Sequence, residues 1–133
     1  MTTMLQPSFI LKSAALANWL GVLIFSKLLT NHAAFGKVDP LFSLTGLILI
    51  LVWGLAFWSV SLNPQAMRPL LLVFVVEKLV YALNHGLWFF KGGSVAALLG
   101  SDMLLGIFFT VYGANDALYA LLFFVAYRKT KPA

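Results

Sequence analysis

Four long runs of apolar residues, separated by short polar stretches rich in Pro, Gly and Asn, organise this chain. The first extends from about Phe9 to Thr30, the second from about Leu41 to Leu62, the third from about Leu70 to Phe90 and the fourth from about Asp102 to Tyr127. Each reaches the roughly 20 residues that an α-helix needs to cross about 30 Å of hydrocarbon. None alternates strictly between apolar and polar positions, so the runs read as helices and not as barrel strands. The pattern predicts an all-α integral membrane protein: one domain, residues 1–133, forming a four-helix transmembrane bundle with short loops.

The breaks carry turn chemistry. Asn31 to Pro40 reads as the first loop, and Pro40 suits a first helical turn. Asn63-Pro64 and Arg68-Pro69 bracket the second loop, and Lys91-Gly92-Gly93-Ser94 ends the third helix. Residues 95–100 allow two readings: a re-entrant or interfacial turn before a Ser101/Asp102 cap, or an early start to a strongly tilted fourth helix. The first run is expected to stay on the protein as a helix. No Lys or Arg precedes it, and it is longer than the hydrophobic core of a signal peptide. Small residues recur on single faces at Ala14, Ala17 and Gly21, at Gly46 and Gly54, and at Gly106, Gly113, Ala117 and Ala120. They predict close helix contacts inside the bundle.

The polar positions inside the runs are more informative. In the third helix Glu77, Tyr81, Asn84 and Trp88 fall on one face, with Lys78 and His85 bordering it. In the fourth, Tyr112, Asn115, Asp116, Tyr119 and Phe123 form a similar stripe, and the first helix contributes Asn18 near its centre. An ionisable group at mid-membrane costs at least about 2.5–3.5 kcal/mol, so these stripes should face protein. Antiparallel alignment of the third and fourth helices brings Asp116 level with Lys78, which predicts an ion pair. Glu77 is then expected to be protonated or hydrogen-bonded to Tyr119 or Asn18. The candidate ligand-binding or proton-handling residues are Asn18, Glu77, Lys78, Tyr81, Asn84, His85, Asn115, Asp116 and Tyr119.

Composition fixes the class and removes several chemistries. Hydrophobic residues make up 62% of the 133 residues and charged residues 10%, against about 45–50% and about 25% in soluble domains. The net charge of +5 comes without a basic stripe, so no nucleic-acid partner is expected. Five Lys and Arg (Lys12, Arg68, Arg128, Lys129, Lys131) lie on the side of the termini, against Lys37, Lys91 and a snorkelling Lys27 opposite. That bias predicts a multi-pass protein with both termini in the cytoplasm. With no cysteine, thiolate metal sites and cysteine nucleophiles are excluded. His32 and His85 lie about 12 Å apart in depth, which argues against a bis-histidine haem. No metal-ligand spacing is present, and no cofactor is named by the residues.

In size the chain resembles the small multidrug exporters and the small fluoride channels. It lacks the glutamate that the exporters carry in their first helix and any Phe-Ser-Thr-Phe-like stretch. Its general look resembles that of small bacterial inner-membrane proteins. Three functions stay open. The leading one is a lipophilic-ligand-binding protein or accessory subunit of a larger membrane complex, with the bilayer and a lipid-like small molecule as partners. The second is a proton-coupled transporter working as a homo-oligomer. The third is a membrane-embedded acid–base enzyme acting on a lipid-like substrate through Glu77, His85 and Asp116.

Overall fold

A computed structural model describes residues 5–132. The described residues are helical and contain no strand. Four helices are long and apolar enough to cross a membrane: α1 (Pro7–Phe25), α3 (Leu44–Ser61), α4 (Arg68–Phe90) and α6 (Met103–Lys129). The chain is therefore a multi-pass membrane protein. Two shorter helices, α2 (His32–Val38) and α5 (Val95–Ser101), join them on one side. The sequence reading placed a plain loop over 31–40; the structure puts α2 and a single 3-10 turn, Pro40–Phe42, there instead. Of the two readings of 95–100, the structure takes the short separate turn, here helical.

The first long helix ends at Phe25, five residues before the apolar run does. Lys27, Leu28 and Leu29 all adopt left-handed backbone, with φ of 53°, 56° and 70°. Each such non-glycine residue costs about 1–2 kcal/mol. The turn is held by Ser26, whose fully buried hydroxyl donates to the Val22 carbonyl and accepts from the Leu29 N–H at 2.9 Å. Apolarity alone could not reveal this stop, because its cause is backbone geometry.

The starts of α3, α5 and α6 follow from capping side chains. Ser43 Oγ accepts from the Gly46 N–H at the head of α3, and Ser94 Oγ accepts from the Ala97 N–H at the head of α5. Pro69 opens α4, where its missing N–H leaves no bond unmade. Asp102 caps α6, its Oδ1 accepting from the Leu105 N–H at 3.2 Å, while its Oδ2 accepts from Asn31 Nδ2 at 2.9 Å. The Leu105 N–H, helped by the Asn31 amide, holds the Asp102 carboxyl below the usual aspartate value of 3.8. A folded-state value below the unfolded one favours folding above that value, and the contribution disappears as pH falls through the folded value. Asp102→Ala should therefore cost about 1 kcal/mol at neutral pH. The deficit should shrink below about pH 3.8 in thermal unfolding followed by circular dichroism; a deficit independent of pH would remove the capping account.

Neighbouring helices pack α1 on α3, α1 on α6 and α4 on α6. Small residues set several of these approaches. A side chain at Gly54 would overlap the Trp19 indole, whose Nε1 donates to the Leu51 carbonyl at 3.0 Å, and one at Gly106 would overlap Leu99 of α5. Two apolar layers result. Near the termini, Leu11, Ala14, Phe57, Leu71, Phe74 and Phe123 interlock, with Phe57 and Phe74 edge to face at 4.8 Å. Near α2, Phe42 of the 3-10 turn inserts between Tyr81, Phe108, Phe109 and Tyr112, its centroid 4.8 Å from that of Tyr112. Asn18, Glu77, Lys78, Asn115 and Asp116 lie between these layers, and the candidate Tyr81 belongs to the second of them.

Candidate functional site: a polar centre at mid-membrane

Asn18, Lys78 and Asp116 stand within two residues of the midpoints of α1, α4 and α6. The structure brings them together. Lys78 Nζ donates to Asp116 Oδ1 at 3.2 Å and to Asn18 Oδ1 at 3.0 Å, and lies 5.2 Å from the centre of the Phe57 ring. Asn115 Nδ2 donates to the same Asp116 oxygen at 3.1 Å, and Asn18 Nδ2 donates to the Ile50 carbonyl of α3 at 3.0 Å. The lysine thus ties α1, α4 and α6 together, and Asn18 carries the tie to α3.

Glu77 differs from its neighbours. It is 8% exposed, and its Oε2 is fully buried without a hydrogen-bond partner among the described residues. The pairing with Tyr119 or Asn18 expected from depth is not made. Tyr119 donates instead to Ser13 Oγ at 3.0 Å, and both polar ends of Asn18 are engaged by Lys78 and Ile50. Depth along an axis fixes which residues are level, but rotation about each helix decides which meet.

A cavity of about 220 Å³ lies beside this centre. Glu77, Lys78, Asp116, Asn18, Asn115, Tyr81 and Tyr112 supply its polar lining, and Phe25, Phe42, Phe108, Val22 and Ile50 much of the apolar lining. The lining residues with appreciable exposure are Ala17, Gly21 and Phe25 on α1 and Val111 and Asn115 on α6. The mouth therefore opens sideways between α1 and α6, toward the lipid, while the two apolar layers close the cavity along the membrane normal. Gly21 makes no close helix contact of the kind its spacing predicts; a β-carbon there would have no neighbour within 4 Å. Its lack of a side chain leaves the mouth wide.

Three of the nine candidates lie apart from the cavity. Tyr119 bonds to Ser13, as described. Asn84 Nδ2 donates to Asp39 Oδ2 at 2.8 Å and to the Tyr112 hydroxyl at 3.2 Å, joining α4 to the turn before α3 and to α6. His85 bonds to backbone: its Nε2 lies 2.5 Å from the Phe109 carbonyl oxygen and its Nδ1 accepts from the Gly113 N–H at 3.0 Å. Those two backbone groups lie one helical turn apart on α6, so the imidazole spans a rung of the ladder. Accepting at Nδ1 leaves Nε2 as the donor, which describes a neutral ring. With both nitrogens engaged, His85 has none left for a substrate proton or a haem iron. Trp88, on the stripe expected to face protein, stacks on His85 with centroids 5.9 Å apart and packs tilted against Phe109 at 5.2 Å.

Sequence reasoning did not single out Gly21 or Phe42 as site-forming. The stripe of Ala14, Ala17 and Gly21 was visible, but a packing stripe and a cavity wall share the same spacing. Phe42 lies in a run of apolar residues with nothing to distinguish it.

Fold and site together define a multi-pass, all-α membrane protein with a paired charge centre and a lipid-facing cavity. The chain matches no family model, no curated protein and no solved structure.

Proposed function

We propose that this protein binds a lipophilic small molecule bearing a polar group, which enters from the bilayer between α1 and α6. The reading rests on the cavity of about 220 Å³, whose exposed lining residues belong to α1 and α6 alone and whose interior carries a carboxylate oxygen without a partner among the described residues. Ligand pockets are mostly apolar and hold a few convergent polar groups, as here. Structural glue explains the Lys78–Asp116–Asn18 set but offers no reason for an open space beside it or for an orphaned Glu77. The enzyme reading loses its histidine, because both His85 nitrogens bond to α6. In this proposal the chain sits in an inner membrane of bacterial type with both termini cytoplasmic, supported by Lys12, Arg68, Arg128, Lys129 and Lys131 on the termini side.

Native mass spectrometry of protein extracted from its own membrane in a mild detergent tests the reading. The expected result is a stoichiometric adduct of a few hundred daltons that disappears in Gly21→Phe, while the unfolding temperature of that variant stays within a few degrees of the parent. An adduct that survives Gly21→Phe would place the ligand elsewhere. A stoichiometric protein partner without any small adduct would favour an accessory subunit, and a bare homo-oligomer would favour the transporter.

A further inference from the structure

The charges around the cavity do not balance. Two carboxyls, Glu77 and Asp116, and one ammonium, Lys78, line it. Lys78 is already committed to Asp116 at 3.2 Å and to Asn18 at 3.0 Å. Asp116 also receives the Asn115 amide. Glu77 is left over, more than nine-tenths buried, lining the cavity, with an oxygen that no donor reaches among the described residues. An isolated carboxylate in a low-dielectric site is costly until an opposite charge or a proton neutralises it.

The rest of the lining suits a positive guest. Phe25, Phe42, Tyr81, Phe108 and Tyr112 present aromatic rings to the space. Ring faces attract cations, most strongly where water is excluded. A lipophilic acid would find the ammonium taken and meet an unpaired carboxylate. A neutral molecule would fill the space but leave Glu77 to be neutralised by a proton alone.

We propose that the cavity selects a hydrophobic monocation, an aryl or alkyl ammonium, with its charged group against Glu77 and its apolar part among the rings toward the α1–α6 mouth. This rests on the cavity-binding reading above and names its ligand class. A cavity of about 150 Å³ holds a benzene ring, so about 220 Å³ accepts a ring with a small charged group.

The test uses three probes that share a benzyl group: benzyltrimethylammonium, its neutral isostere neopentylbenzene, and the anion phenylacetate. Each is titrated calorimetrically into the full chain in phosphatidylcholine nanodiscs, with empty nanodiscs subtracted. The expected result is one site per chain for benzyltrimethylammonium, at least tenfold tighter than neopentylbenzene, with phenylacetate weakest. Glu77→Gln should bring the cation and its isostere to similar affinity. Equal or tighter binding of the neutral or anionic probe to the unmodified protein would overturn the cation class and leave the binding reading standing. No site for any of the three would overturn both. The ranking on the unmodified protein decides the question even where Glu77→Gln fails to fold.

Discussion

Asp116→Ala should destabilise the protein by about 3–5 kcal/mol, the largest effect expected of any single substitution here. The reason is what it leaves behind: the Lys78 ammonium, 2% exposed at mid-membrane, with Asn18 Oδ1 as its one remaining hydrogen-bond acceptor. Polar contacts between membrane helices average only about 0.6 kcal/mol, but that figure describes hydrogen bonds of side chains such as Ser, Thr, Asn and Gln. An uncompensated buried charge is a different case, and the desolvation cost decides the magnitude. Lys78→Met in the same background should recover most of the loss, since it removes the stranded charge and keeps a chain of similar length. Thermal unfolding of the two single variants and the double variant in detergent checks this. Additive losses, with no recovery in the double variant, would show that the 3.2 Å pair contributes no coupling.

Gly113→Ala should also destabilise, by on the order of 3 kcal/mol. In an ordinary helix the same change stabilises by about 1 kcal/mol, so the sign itself is diagnostic. A β-carbon at residue 113 would collide with the His85 ring, which bonds to the Gly113 N–H and the Phe109 carbonyl. The ring would have to leave, breaking both bonds and the tilted contact with Tyr112, whose centroid lies 4.1 Å away. His85→Ala combined with Gly113→Ala should be markedly more stable than the sum of the single losses predicts, because the double variant has neither the ring nor the collision. Guanidinium-free thermal melts are the suitable measurement, and a stabilising Gly113→Ala would contradict the packing described.

Much of this architecture was legible because membrane spans announce themselves by length and apolarity. The Lys78–Asp116 contact was also legible, since two antiparallel helices of known length leave little freedom in depth. What escaped prediction depended on rotation and on backbone conformation. Buried positions on α4 are Leu71, Phe74, Glu77, Lys78, Tyr81 and His85, so the inward face takes in Glu77 and Tyr81 of the expected stripe together with the bordering Lys78 and His85, while Asn84 and Trp88 are only partly buried on its shoulder. Ala117, counted with the small residues of the fourth helix, proves exposed. The left-handed turn at 27–29 left no trace in residue type, since none of the three is glycine. The cavity itself is a space between helices, and a list of residues describes occupants more readily than gaps.

The connections of Lys78 also set an order on how the protein can be made. A chain emerging from its amino terminus delivers α1, with Asn18, before α4 carries Lys78 into the bilayer, and α6, with Asp116, arrives last. Between those moments the ammonium has the Asn18 amide to meet but lacks the carboxylate it bonds to in the finished centre. Asn18 is therefore the residue that can receive Lys78 while synthesis is still under way, and Asp116 closes the centre only once the final helix is in place. A nascent chain arrested before residue 103 would hold α4 in the membrane without its ionic partner. The charge pair thus makes arrival of the last helix the step that commits the bundle to its final packing.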